Sequence, residues 1–258
     1  MSHSSRIIVE IIEMPKLKNP PLICGLPGSG YVGKLAVDHL IEELKGVPFA
    51  NIFSSSFPPQ VLIQSDGTAD LMKNTLYYCK GKSSDLVLLS GDAQPVSPES
   101  EYEMAEEITK ICEKLGVKTI YTLAAYITGS FTHTQKVYGT STSPQIVKEF
   151  SKYGVLPMNS GSITGMNGLI IGVGKRKNIT GVCLLGETSG YVVDAKASKS
   201  ILETIAKILN LKLDLSGISK KAQDTEQLVK TIEEQMGTRH SPDSLPMTQH
   251  DKKLGYIS

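Results

Sequence analysis

Apolar residues along the chain change period at glycines and prolines, and those changes mark out the elements. Arg6–Glu13 is rich in β-branched residues and reads as a first strand. Pro21–Cys24 is short and apolar, and the glycine loop Gly25-Leu26-Pro27-Gly28-Ser29-Gly30 follows it. Beyond the loop, Val32, Leu35, Ala36, His39, Leu40 and Leu44 recur at helical spacing. A continuous apolar run that gives way to a 3.6 period across glycines predicts strand, tight turn and helix. Gly46 is a natural helix stop, and Val47–Phe53 reads as the next strand. Val61–Gln64 and Asn74–Cys79 flank Ser65-Asp66-Gly67-Thr68, whose Asp-Gly pair predicts a hairpin and so a mixed sheet. Leu86–Leu89 is apolar without a break, as in a strand covered on both faces.

The strongest helix signal comes next. Ser97 suits the N-cap, Pro98 the first helical position, and Glu99, Glu101 and Glu103 the positive end of the helix dipole. Ala105, Ile108, Ile111, Cys112 and Leu115 form its apolar stripe, and Gly116 ends it. Thr119–Leu123 and Ile179–Leu185 read as strands. Ser143-Pro144 opens a helix to Tyr153, Ile163–Val173 reads as a closely packed helix with Gly165, Gly168 and Gly172, and Lys196–Leu209 as another. Strands alternating with helices of this length predict an α/β three-layer sandwich with a mixed central sheet.

From Ser219 the character changes. Ala222–Met236 carries a narrow stripe of Leu228, Val229 and Ile232 among charges, so this helix packs on the body or on a neighbouring subunit. Gly237–Asp251 is polar with two prolines and predicts a flexible tether, before the chain closes on Leu254-Gly255-Tyr256-Ile257-Ser258. The expected organisation is a body over 1–214, a C-terminal helix over 215–236 and a flexible tail over 237–258.

Composition narrows the function classes. A net charge of +1 leaves no basic footprint for nucleic acid. Cys24, Cys79, Cys112 and Cys183 fall singly within apolar patterns, without metal-ligand spacing, and read as buried reduced thiols. The first residues carry no signal-peptide pattern. Tyr153–Gly174 is uncharged, but Pro157, Asn159, Asn167 and six glycines make it too polar to span a bilayer. A cytoplasmic protein with no membrane partner, metal or cofactor is expected.

Candidate chemistry gathers at the glycine loop and at the carboxyl ends of the strands. Gly28 to Gly33 is a literal G-x-G-x-x-G, yet the Ala50–Ser54 region holds no acidic residue for a ribose. Gly28 to Lys34 is a literal G-x-x-x-x-G-K, yet Leu35 stands where Ser or Thr would hold magnesium. Close strand–helix packing explains the same glycines. Gly28, Ser29 and Gly30 at a helix start form a candidate anion pocket. Asp92 and Glu187, in strand-end loops, are either paired carboxylates, sugar ligands or caps of the helices that follow. His39 reads as a partnered core histidine and His133 as a lone loop imidazole. No order of Ser, His and Asp or Cys and His announces a reaction, so no catalytic residue is assigned.

Three stretches, Gly25–Gly33, Gly161–Leu169 and Leu254–Ser258, together resemble the archaeal proteasome assembly chaperones, homologues of the second eukaryotic assembly chaperone. The resemblance covers Pro21 to Leu211 and the tail. It implies a fold similar to purine nucleoside phosphorylases, homo-oligomers, no established catalysis, and a tail that docks between proteasome α subunits through a hydrophobic–tyrosine–any ending. On this chain Leu254, Tyr256, Ile257 and the carboxylate of Ser258 would bind the partner, whether proteasome α subunits or another ring or adaptor protein. Here Ile257 rather than the tyrosine is penultimate, a register shift of about 3.3–3.6 Å in an extended tail. Two other readings stand beside it: an enzyme of nucleoside or nucleotide chemistry using the glycine loop 25–33, and a structural oligomer whose tail packs on a neighbour.

Overall fold

A computed structural model describes residues 7–82, 84–130 and 134–237. His133 and residues 238–258, with Leu254, Tyr256, Ile257 and Ser258, lie outside them. The strands are β1 Ile7–Ile11, β2 Leu22–Cys24, β3 Val47–Ser54, β4 Val61–Ile63, β5 Ala69–Leu71, β6 Asn74–Cys79, β7 Leu86–Gly91, β8 Thr119–Ile127, β9 Val137–Ser141, β10 Val155–Pro157 and β11 Thr180–Thr188. The helices are α1 Val32–Glu43, α2 Pro98–Lys114, α3 Pro144–Glu149, α4 Gly165–Arg176, α5 Ala195–Leu209 and α6 Ser216–Gly237.

A nine-stranded sheet runs β1-β3-β6-β7-β2-β8-β11-β9-β10. Its centre, β7, β2, β8 and β11, is parallel. β1, β3 and β6 join antiparallel on one side, and β9 on the other, so the sheet is mixed. Successive side chains on the central strands alternate between two cores, as the period of 2 demands. Leu22, Cys24, Val87 and Leu89 meet Met104 and Ile108 of α2 and Met166 and Ile170 of α4. Ile23, Leu88, Leu123 and Leu184 meet Val37 and Leu40 of α1 and Ile201 and Ile205 of α5. Two cores back to back make the layered α/β architecture. α6 adds Ile218 and Ala222 to the second core, so its first turns pack on the body. The side chains of Leu228, Val229 and Ile232 are not among those described.

Local signals explain most boundaries. Ser97 caps α2, its hydroxyl oxygen accepting from Ser100 N at 3.3 Å, and Gly116 leaves the helix at φ +72°. α1 stops one residue earlier than Gly46 suggests: Lys45 takes the left-handed conformation, φ 52°. The hairpin expectation needs correction. The turn at Asp66-Gly67 does reverse the chain, but it returns through Ala69–Leu71, giving the separate pair β4–β5. Asn74–Cys79 instead lies in the main sheet between β3 and β7.

Candidate functional site

The carboxyl ends of β2, β7, β8 and β11 converge on the glycine turn. Each glycine in it has a distinct reason. A Cβ on Gly33 would sit 1.9 Å from the carbonyl oxygen of Leu123 in β8, and one on Gly25 2.1 Å from the carbonyl oxygen of Gly33. Both glycines let backbone lie against backbone where α1 crosses the sheet. Gly30 has φ +61° and is buried, and its carbonyl accepts from Asp194 N at 2.8 Å. Gly28 is extended at φ −164°, and a Cβ there would meet only Gln94 Nε2 at 3.8 Å and Leu26 O at 4.0 Å, ordinary contacts. Tyr31, 46% exposed, follows in the left-handed region at φ 53°, a conformation that disfavours a side chain.

Neighbouring loops hold the turn from two sides. From β7, Gln94 donates Nε2 to Pro27 O at 2.6 Å and accepts at Oε1 from Met166 N at 2.9 Å. One amide thereby joins the glycine turn to the first turn of α4. From β11, Asp194 caps α5, with Oδ1 accepting from Ala197 N at 2.9 Å and Oδ2 from the Thr188 hydroxyl at 2.7 Å. Thr188 and Asp194 are both buried. The segment between them is therefore a strap pinned across Gly30. Neither Gln94 nor Asp194 was singled out as a side chain from the sequence; for Asp194, an acidic residue three before Ala197 at the start of an apolar-periodic run was the available N-cap signal.

Lys34 lies in the first turn of α1, where its ammonium pairs with Asp38 at 2.9 Å and donates to Ser90 Oγ at 3.3 Å. Ser90 in turn donates to Asp38 Oδ1 at 2.5 Å. This lysine is committed to joining α1 and β7.

The two carboxylates stand apart. Asp92 follows β7 and Glu187 lies in β11, three strand spacings away, about 14 Å. Asp92 Oδ2 accepts from Lys73 N at 3.0 Å. Glu187 Oε2 accepts from Thr134 N and its hydroxyl, both at 3.0 Å, and from Lys136 N at 3.3 Å. Each staples a neighbouring loop, and neither caps the helix that follows, contrary to the sequence expectation. His39 is half-buried rather than core, its Nε2 2.8 Å from Asp214 O, tying α1 to the approach to α6.

All four cysteines are buried and unpaired by disulfide. Burial pushes Cys79 up to about 11 and both Cys112 and Cys183 to about 12, and raises Cys24 further still. A thiol is nucleophilic only as thiolate. Native protein at pH 7–8 is expected to leave all four unlabelled by a chromogenic disulfide reagent, and guanidinium-unfolded protein to titrate four. Rapid native labelling would contradict the buried assignment. Among the described residues, no three His, Cys, Asp or Glu side chains converge as metal ligands, and no helix is long and apolar enough to cross a membrane.

Comparison with known proteins places this arrangement. The sequence model described as the PAC2 family matches residues 22–233. An uncharacterized protein of Methanocaldococcus jannaschii is 37% identical over 224 residues, covering 86% of each chain. Among solved structures, PbaB of Pyrococcus furiosus, an archaeal proteasome activator, shares 34% identity with a TM-score of 0.82 over 88% of this chain and 98% of its own. PbaA of the same organism, an archaeal homolog of proteasome-assembly chaperone, shares 29% with a TM-score of 0.73 over 89% and 93%.

Proposed function

The chain belongs to the PAC2 family, and from that premise we propose that it is a non-catalytic chaperone or adaptor of proteasome components, docking on the α-subunit ring through its C-terminal tail. The likeness to PbaB, at 34% identity over nearly the whole of that protein, carries the reading. The strand-end loops are consistent with it. Gly25 and Gly33 serve packing and Gly30 the turn, and the polar side chains detailed there, Gln94, Asp194, Lys34, Asp92 and Glu187, are committed to structural hydrogen bonds.

The tail supplies the binding chemistry. Tyr256 and Ile257 offer apolar surface, and the carboxylate of Ser258 an anion for a basic pocket residue. One large buried side chain contributes only about 1.5–3 kcal/mol, so a single tail binds weakly. Several tails on one oligomer raise the apparent affinity by about 10²–10⁴ when the geometry lets them engage together. A polar tether from 237 to 251 gives the reach that such engagement needs.

The test is capture of proteasome core particles on immobilised protein, full-length against a variant ending at Gly255. Loss of capture with the oligomer's mass unchanged is the expected result. Undiminished capture by the truncated chain removes the tail from the proposal.

A further inference from the structure

The turn at Asp66-Gly67 folds β4 and β5 into a hairpin whose apolar side is on the outside. Val61 pairs with Leu71 and Ile63 with Ala69. Side chains alternate between the two faces of a strand, and Leu62 packs inward on the first core. Val61, Ile63, Ala69 and Leu71 therefore stand together on the opposite face, where Val61 is 50% exposed, Ile63 70% and Leu71 65%. A lone two-stranded hairpin is marginal in water, and an apolar face left in solvent marks an interaction site. Val61 and Leu71 also line a groove of about 500 Å³ with Phe57, Pro58 and Pro59, a volume that takes a drug-sized ligand.

The rim of the groove is acidic. Val96 N donates to Ser56 O at 2.9 Å and Ser97 N to Ser56 Oγ at 3.1 Å, which brings the start of α2 against it. The two segments so joined, 53–73 and 92–103, carry Asp66, Asp70, Asp92, Glu99, Glu101 and Glu103 against one cation, Lys73. The complement of such a surface is an apolar segment that also carries positive charge. Beyond the described residues the chain has that combination in Lys252-Lys253-Leu254-Gly255-Tyr256-Ile257. Residues 1–6 offer a single apolar side chain, Met1.

We propose that the chain's own C-terminal segment rests in this hairpin groove when no partner holds it. Leu254, Tyr256 and Ile257 lie on the apolar face, and Lys252 and Lys253 meet Asp66 and Asp70. The path is short enough. α6 runs back along α5, Glu226 pairing with Lys196 at 3.9 Å, so it ends on the side of the strand-end loops. The hairpin is at the same end of the sheet, since Asn74 just after it pairs with Gly91 at the close of β7. α5 covers β11, five strand spacings from β3, or about 24 Å. Residues 238–251 span up to about 46–50 Å when extended. A tether holds its end at about millimolar effective concentration, so a groove too weak to capture a free peptide is still occupied.

The chain contains no tryptophan, so Tyr256→Trp in the full-length protein makes the segment its own reporter. Its emission is expected to be blue-shifted and poorly quenched by acrylamide. Adding Leu71→Asp or Ile63→Asp, both at exposed positions, is expected to move the emission to that of a solvated indole and to raise the quenching severalfold, with circular dichroism unchanged. A disulfide then shows whose segment it is. Because the four native thiols are buried, Leu71→Cys with Ile257→Cys is expected to close a bond within one chain under mild oxidation, whereas Leu156→Cys with Ile257→Cys stays open. Solvated emission from the Tyr256→Trp chain overturns the proposal. So does emission that neither aspartate changes, a bond that joins two chains, or equal bonding through Leu156→Cys. No proteasome enters these measurements, so they decide this resting place separately from the docking proposal.

Discussion

Gly33→Ala is expected to destabilise the protein by about 3 kcal/mol or more, at the upper end of what overpacking costs. In an ordinary helix interior the same change gains about 0.5–1 kcal/mol, because alanine is the better helix former. Here the new methyl would lie 1.9 Å from Leu123 O and 2.7 Å from Leu123 C. Those atoms belong to β8, which is bonded to β2 on one side and β11 on the other, so neither can move aside. The effect should appear as a thermal midpoint lower by about 6–12 °C, at about 2–4 °C per kcal/mol in a chain of this size. Gly28→Ala is the control. Its backbone is already extended, its Cβ would make only ordinary contacts with Gln94 Nε2 at 3.8 Å and Leu26 O at 4.0 Å, and its midpoint should move by no more than about 0.5 kcal/mol allows. The order decides what the glycine motif is for. A G-x-G-x-x-G loop that existed to admit a phosphate would lose, in Gly28→Ala, the stabilisation that added phosphate gives. A loop that exists to lay α1 on the sheet is most sensitive at Gly33. Scanning calorimetry of the two variants distinguishes these, and a larger loss at Gly28 would refute the packing account.

That contrast also shows what the sequence could and could not reveal. The period change across Gly25–Gly30 was enough to place β2 and α1, since continuous apolar and 3.6-residue patterns cannot be satisfied by one element. Ser97-Pro98 and Gly116 placed both ends of α2, because caps act within a few residues of chain. β9 and β10 went unread. β9 is Val-Tyr-Gly-Thr-Ser, where Gly139 has no side chain to show alternation, and a Cβ there would meet Val155 and Phe150 within 3 Å. β10 is three residues ending in proline. Both are strands because β11 and β9 offer them a ladder, a cause that lies far away in sequence. The return arm of the hairpin, Ala69-Asp70-Leu71, was missed for a similar reason: only register with Val61–Ile63 makes it a strand.

The candidate site was legible as a place and not as a set of contacts. Strand-end loops could be enumerated from the sequence, and they do converge. Which side chains meet there depends on strand order, and order is invisible to local pattern. Asp92 and Glu187 come from strands that are not neighbours, and at a strand separation of about 14 Å they do not pair. Gln94 and Asp194 gain their roles only once β7 and β11 are set on either side of β2 and β8.

Asp194→Ala is expected to be the most damaging change to the strap that is not a steric clash. Alanine removes the acceptor for Ala197 N at the start of α5, and loss of an N-cap costs about 1 kcal/mol. It also leaves the buried hydroxyl of Thr188 without its 2.7 Å acceptor, and an unsatisfied buried donor costs about 1–3 kcal/mol. The two losses are separate, so together they come to about 2–4 kcal/mol, or a midpoint lower by about 4–16 °C. Asp194→Asn keeps an oxygen for Ala197 N and presents an amide that can donate to Thr188 Oγ1, so it should retain more than half of the lost stability. The main-chain bond from residue 194 to Gly30 O survives in both. Amide hydrogen exchange then locates the damage. Protection should fall over 188–198 and at the glycine turn in the alanine variant, and stay near wild type in β3 and β6, which lie across the sheet. Equal losses in the two variants would mean that the carboxylate's charge, rather than its hydrogen bonds, holds the strap against the turn.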